Sequence, residues 1–99
     1  MTIRILRAAL QDLEAGSNFY DELQAGLGAH FFDSLYSDIR GLATRAGVHV
    51  AREGYFRALA ERFPYAIYYQ VNGDCVEVVA VLDCRRSPRW IQVRLKDRD

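Results

Sequence analysis

The sequence is poor in the residues that staple or punctuate a small protein. It has two cysteines, two prolines, one methionine and one tryptophan in 99 residues. Lys96 is its one lysine, so arginine supplies nearly all the positive charge. Cys75 and Cys84 fall at the two ends of one strand-like segment, roughly 30 Å apart at a strand's rise per residue and beyond disulfide reach. Two reduced thiols are expected. Two cysteines with His30 and His49 far away offer no metal-ligand spacing, so neither a metal nor a cofactor is expected. No apolar run approaches the about 20 residues of a membrane-spanning helix. The first residues, MTIRILRAALQDLE, contain acids and no continuous apolar block, unlike a secretory signal. A cytoplasmic protein without membrane contact is the expectation.

Half of the residues are hydrophobic, 51%, which suffices for one core and excludes a disordered chain. One domain over residues 1–99 is expected. The net charge is zero, but the charges are segregated. Residues 85–99 hold six basic and two acidic residues, and residues 1–84 hold seven basic and eleven acidic ones. A basic tail on an acidic body points to an anionic partner, or to docking of the tail on the body itself.

Ile3-Arg4-Ile5 alternates and predicts a short first strand. Leu6, Leu10, Leu13, Tyr20 and Leu23 then form one helical stripe, with Ser17 as its polar interruption. Gly26 is placed to cap that helix at its C-terminus. Leu27, Phe31, Leu35, Ile39, Leu42 and Ala46 make a second stripe, widened by Phe32 and Tyr36. Gly41 lies inside this helix at a cost of about 1 kcal/mol relative to alanine, and Gly47 ends it. Two amphipathic helices joined by a short loop form an αα-hairpin whose apolar faces need a sheet to cover them. Residues 48–61 satisfy both helix and strand spacing; their length and Gly54 favour a strand pairing with Tyr65 to Val71, with Pro64 at the bend.

The most informative stretch is Arg62 to Trp90. Tyr65 to Val71 is aromatic and β-branched, as suits a half-buried strand. Asn72-Gly73 predicts a two-residue type I′ hairpin, and Val76 to Leu82 returns as an apolar strand. This places Tyr69 opposite Val76 and Ile67 opposite Val78. Ile67, Tyr69, Val76, Val78 and Ala80 then share the core face, and Tyr68 and Glu77 sit opposite each other on the other face. Arg85, Arg86 and Arg89 follow, with Pro88 preventing simple continuation of the strand.

This order of strand, helical hairpin, meandering sheet and basic end resembles the RelE/ParE superfamily of type II toxin–antitoxin toxins. Arg62-Phe63-Pro64-Tyr65-Ala66-Ile67-Tyr68-Tyr69 resembles the family's third-strand signature. Val78-Val79-Ala80-Val81-Leu82 followed by Arg85-Arg86-Ser87-Pro88 resembles its last core strand and arginine-rich exit. Leu27-Gly28-Ala29-His30-Phe31 looks like the start of its second helix, and Gly54-Tyr55 with Arg57-Ala58-Leu59 like the strand before the signature. The resemblance implies an α+β fold: a short N-terminal strand and an αα-hairpin packed on a small antiparallel sheet.

It also implies a partner, a cognate antitoxin whose disordered tail folds onto the toxin. Tyr20, Phe32 and Tyr36, at the edges of the helix stripes, are the candidate receivers of such a tail. Contact with DNA is expected only through the antitoxin, since a neutral domain binds duplex weakly. The superfamily has one branch that cuts messenger RNA on the ribosome and a ParE-like branch that poisons DNA gyrase. Cleavage by 2′-OH attack needs a base, cationic phosphate donors and an acid. Aligned with the ribonucleolytic members, Ala66 stands where they carry an arginine, Arg86 matches a second arginine, and Trp90 falls near their terminal aromatic or histidine, but its indole N–H cannot act as a base. The ParE-like branch is therefore expected, with no catalytic residues and with Arg85, Arg86, Arg89 and Trp90 as the target-contacting set. The alternatives are a ribosome-dependent endoribonuclease using Arg62, Arg86 and His49, and a non-toxic antitoxin-binding domain.

Overall fold

The computed structural model describes residues 1–98. The chain runs β1 (Thr2–Ile5), α1 (Arg7–Leu23), α2 (Leu27–Arg45), β2 (Ala51–Arg52), β3 (Tyr55–Leu59), β4 (Tyr65–Asn72), β5 (Cys75–Asp83) and α3 (Pro88–Lys96). The strands make one five-stranded sheet in the order β1-β5-β4-β3-β2. The helical hairpin carries the chain from one edge of this sheet to the other. The α+β architecture holds, with one addition: β1 runs parallel to β5 while the other neighbours are antiparallel, so the sheet is mixed.

Helix α1 buries Ala9, Leu13, Gly16 and Tyr20, a strict helical stripe. Leu10 and Leu23, which hydrophobicity alone puts on that stripe, are 42% and 66% exposed. The face is chosen by close approach of the two helices. A Cβ on Gly16 would lie 2.6 Å from the Phe31 ring, and one on Gly28 would lie 2.4 Å from the Ser17 carbonyl. Helix α2 buries Phe31, Leu35, Ile39 and Leu42, as its spacing predicts. Gly26 does not cap α1, which ends at Leu23 with Gln24 as its cap. It opens α2 instead, at φ 90°, a left-handed conformation that glycine adopts without steric cost. The Asp21 carboxylate accepts the N–H groups of Gly26 and Gly28 at 2.9 and 3.2 Å, tying the end of one helix to the start of the next.

The β4–β5 turn differs from the expected one by one residue. Asn72 pairs with Cys75, so the loop is Gly73-Asp74 rather than Asn72-Gly73. Gly73 has φ 61° and Asn72 has no positive φ. A type II′ turn puts its positive φ on the first central residue alone, so the turn slides until glycine occupies that place. Val71 then faces Val76, and Tyr69 faces Val78 instead of Val76. Beyond Tyr69 the register shifts again, and Tyr68 pairs with Ala80. Val79 is thus the extra residue of a β-bulge, which reverses the facing of the rest of β5. Val76, Val78 and Val81 face the helices with Ile67 and Tyr69. Ala80, expected on that face, packs instead with Ala66, Tyr68, Val79 and Leu82 on the other one. Glu77, expected opposite Tyr68, pairs with Gln70, whose side chain donates to it at 2.9 Å.

That second face is covered by α3, a helix the sequence pattern does not predict. Leu95 is buried there, and Trp90 and Ile91 pack beside it. The sheet therefore lies between the αα-hairpin and a short C-terminal helix. No helix among the described residues is long and apolar enough to cross a membrane.

Candidate functional site

The exit from β5 builds the site. Asp83 ends the strand, and its carboxylate accepts the Arg85 N–H, Nε and Nη2 at 2.8, 3.0 and 2.8 Å. The Arg85 hydrogen bonds hold the Asp83 carboxyl below its ordinary value, against the opposing effect of its own burial. Arg85 also donates to the Tyr20 hydroxyl at 3.4 Å. Arg85 is therefore an anchored residue, its guanidinium spent on Asp83 and Tyr20. Burial, and next the neighbouring Asp83 charge, push the Tyr65 hydroxyl beside this cluster up to about 12.

The Arg86 N–H bonds the Asp83 carbonyl at 3.2 Å, closing a turn. Ser87 then caps α3, its Oγ accepting the Trp90 N–H at 3.1 Å, and Pro88 takes a first-turn position, where a missing N–H costs nothing. The cap fixes the indole. Arg86, four residues before Trp90, and Arg94, four after, place their guanidinium carbons 4.6 and 4.7 Å from the ring centroid. Such contacts are worth about 0.5–1 kcal/mol each at exposed sites. Neither arginine makes an ion pair among the described residues, and neither does exposed Arg89.

Two hollows meet at Arg86. The first, of about 250 Å³, lies between α1 and α3, with Ala15, Phe19, Val81, Trp90 and Arg94 in its lining. The second, of about 260 Å³, lies on the α3 side of the sheet and is lined by Arg52, Arg57, Tyr68, Cys84, Arg86 and Pro88. There Arg57 Nε donates to the Tyr68 hydroxyl at 3.3 Å, and its Nη2 lies 3.6 Å from the Cys84 sulfur. A third groove, of about 480 Å³, runs between α2 and the β3 edge and includes Arg45, His49 and Leu59.

The expected residues are thus only partly brought together. Arg85, Arg86, Arg89 and Trp90 gather at the start of α3, with Arg85 internally paired. The set named for a nuclease does not assemble. His49 bonds the hydroxyl of Tyr69 at 2.6 Å, on the helix side of the sheet. Arg62 is exposed in the bend between β3 and β4, and only Arg86 lines the arginine-rich hollow. Ala66 is fully buried beneath α3, so a long cation has no room at that position. Tyr20 is 8% exposed inside a cluster with Phe31, Phe63 and Tyr65. Phe32 and Tyr36 stack at 6.3 Å on α2 and form the accessible part of that aromatic set.

Arg57, Tyr68 and Arg94 were not among the site residues expected from sequence. Their signals were present: Tyr55 and Arg57 alternate onto the face away from Phe56 and Ala58, and Arg86, Trp90 and Arg94 repeat every four residues. The two cysteines are free thiols, as expected, and no group of metal-binding side chains occurs among the described residues.

No protein-family model matches the sequence, and no curated protein matches it. Among solved structures, a chain described as "Chromosomal ParDE TA system from P. aeruginosa" superposes with a TM-score of 0.73 at 20% sequence identity, over 82% of this chain and 92% of that one. The fold is therefore ParE-like.

Proposed function

We propose that this chain is the toxin of a type II toxin–antitoxin module, of the ParE-like branch, and that it arrests growth by binding its target. The observation that carries the reading is the structural likeness to a chain of a ParDE system, which extends over nearly all of that chain. The target is DNA gyrase, contacted through Arg86, Arg89 and Trp90, with Arg85 bracing the exit of β5 beneath them. Arginine and tryptophan are the side chains that most often dominate interfaces. The protein acts in the cytoplasm, and a cognate antitoxin neutralises it, with Phe32 and Tyr36 receiving apolar side chains. Any DNA contact belongs to the antitoxin. Induced expression tests this: growth should stop, and the Arg86→Ala/Trp90→Ala variant should restore it while staying folded by circular dichroism. Normal growth on expression of the unaltered chain would favour a non-toxic antitoxin-binding domain.

One observation favours a second reading, a ribosome-dependent endoribonuclease. Arg52, Arg57 and Arg86 surround one hollow with the Tyr68 hydroxyl, a donor set suited to a phosphate. The hollow has no histidine or carboxylate base beyond Glu53 at its rim, which ranks this reading second. Toeprinting of a message in a translating extract separates the two, because the binding reading gives no new ends.

A further inference from the structure

The pairing of β1 with β5 stops at Ile5 opposite Val78, while β5 continues to Asp83. Its last five residues therefore have no strand on that side. Since the Cys84 N–H bonds Pro64 on the β4 side, strand alternation turns the backbone groups of Val81 and Asp83 the other way, into the groove between α1 and α3. Side chains take the place of the absent strand at one end. The Val81 N–H donates to Asp12 Oδ2 at 2.9 Å, and the Val79 carbonyl accepts from Arg98 Nη1 at 2.8 Å. At the other end the Asp83 carbonyl accepts the Arg86 N–H. Between them the Val81 C=O and Asp83 N–H form the floor.

The walls state what fits. One is apolar, with Ala15 and Phe19, the latter 47% exposed. The other is Trp90 carrying Arg86 and Arg94. The carboxylates nearest this wall are already engaged, Asp12 by Arg98 and Asp83 by Arg85. The two guanidiniums on the indole make no ion pair among the described residues and together present donors that suit carboxylates. A nucleobase would need the indole faces for stacking, and the guanidiniums lie over that ring.

We infer that this groove receives an extended, acidic segment of a partner protein, which adds as a short strand along Val81–Asp83 with its carboxylates on Arg86 and Arg94 and an apolar side chain against Phe19. Strand addition of this kind draws affinity from main-chain bonds and selectivity from alternate side chains. The inference deepens the proposed function by giving Arg86 and Trp90 a docking mode and a partner chemistry, and rests on it only for their being contact residues.

The test uses the full chain in vitro and does not depend on toxicity. Trp90 is the sole tryptophan, so its fluorescence reports on the groove. A short blocked peptide of alternating glutamate and valine should change that fluorescence saturably and slow exchange of the Asp83 amide proton. Binding should weaken about tenfold or more in Arg94→Gln, as expected when a close charge pair is lost. Because the titration is read on the purified chain, saturable peptide binding by a chain that does not arrest growth keeps this inference while the functional one falls, and growth arrest without peptide binding does the reverse. No saturable change, equal binding of the lysine–valine peptide or of an oligothymidylate, unchanged affinity in Arg94→Gln, or an unprotected Asp83 amide would each overturn it.

Discussion

Arg98 and Asp12, 86 positions apart in the sequence, grip each other through two parallel hydrogen bonds of 2.8 and 2.9 Å. Their side chains are only 12% and 13% exposed. The pair joins the C-terminal end of the chain to α1 and closes the bare edge of β5 at the bulge. Removing one partner leaves a shielded charge and an unmet Val81 N–H or Val79 carbonyl. Asp12→Ala should therefore destabilise the fold by about 3–5 kcal/mol, in the range for a broken buried pair. Urea unfolding checks this. In the double variant with Arg98→Ala the cost should be well below the sum of the two singles, as for groups in direct contact.

Stability should fall on mild acidification because of His49. Burial, and next the Arg45 charge, lower its pKa in the folded chain below the ordinary 6.5. Between the folded and unfolded values the unfolded chain binds more protons, so stability rises with pH there. The contribution is complete above about pH 6.5 and declines as pH falls through the folded value. An NMR titration of the His49 ring should give a midpoint below 6.5. Tyr69→Phe should cost about 0.5–1.5 kcal/mol, the net worth of an ordinary hydrogen bond, because the Gly47 N–H loses its acceptor, a bond of 2.9 Å here.

Three helix glycines should respond differently to alanine. Gly28→Ala and Gly16→Ala drive a methyl into the Ser17 carbonyl and the Phe31 ring, and overpacking of this kind costs typically about 1–3 kcal/mol. Gly28→Ala should be the worse, since backbone yields less than a ring. At Gly41 the added methyl meets only the Arg45 guanidinium, at 3.3 Å. Gly41→Ala should stabilise the chain by about 0.5–1 kcal/mol through helix propensity. Thermal unfolding of the three variants gives the order.

Placing the missing arginine on β4 should not create a nuclease. Ala66 is fully buried against α3, and a guanidinium there would be an unpaired buried charge. Ala66→Arg should lose several kcal/mol of stability and detach α3. Limited proteolysis near the C-terminus would detect this, and an intact, RNA-cleaving variant would refute it.

The element order and the strand signature were legible because each rests on local periodicity: Phe31 to Leu42 on α2, Tyr65 to Val71 on β4. What sequence missed depends on contacts between distant segments. The stripe of α1 follows Ala9 and Gly16 because small residues permit close approach, a preference no hydrophobicity count registers. Ala80 changed faces through a bulge that nothing in Val78-Val79-Ala80-Val81 announces. Helix α3 has a local signal in Ser87-Pro88, a cap followed by a first-turn proline, but the same proline equally marks the end of a strand. Of the site, the cluster of Arg86, Arg89 and Trp90 was readable. Its meeting with Arg94 and Phe19 required the fold.

The most direct test of the proposed function is a DNA gyrase supercoiling assay with the purified chain, run beside a translating extract programmed with a defined message. The proposal predicts inhibited supercoiling, relief of that inhibition in the Arg86→Ala/Trp90→Ala variant, and no new message ends. Unimpaired supercoiling together with new cleavage in the message would contradict it and point to the hollow of Arg52, Arg57 and Arg86.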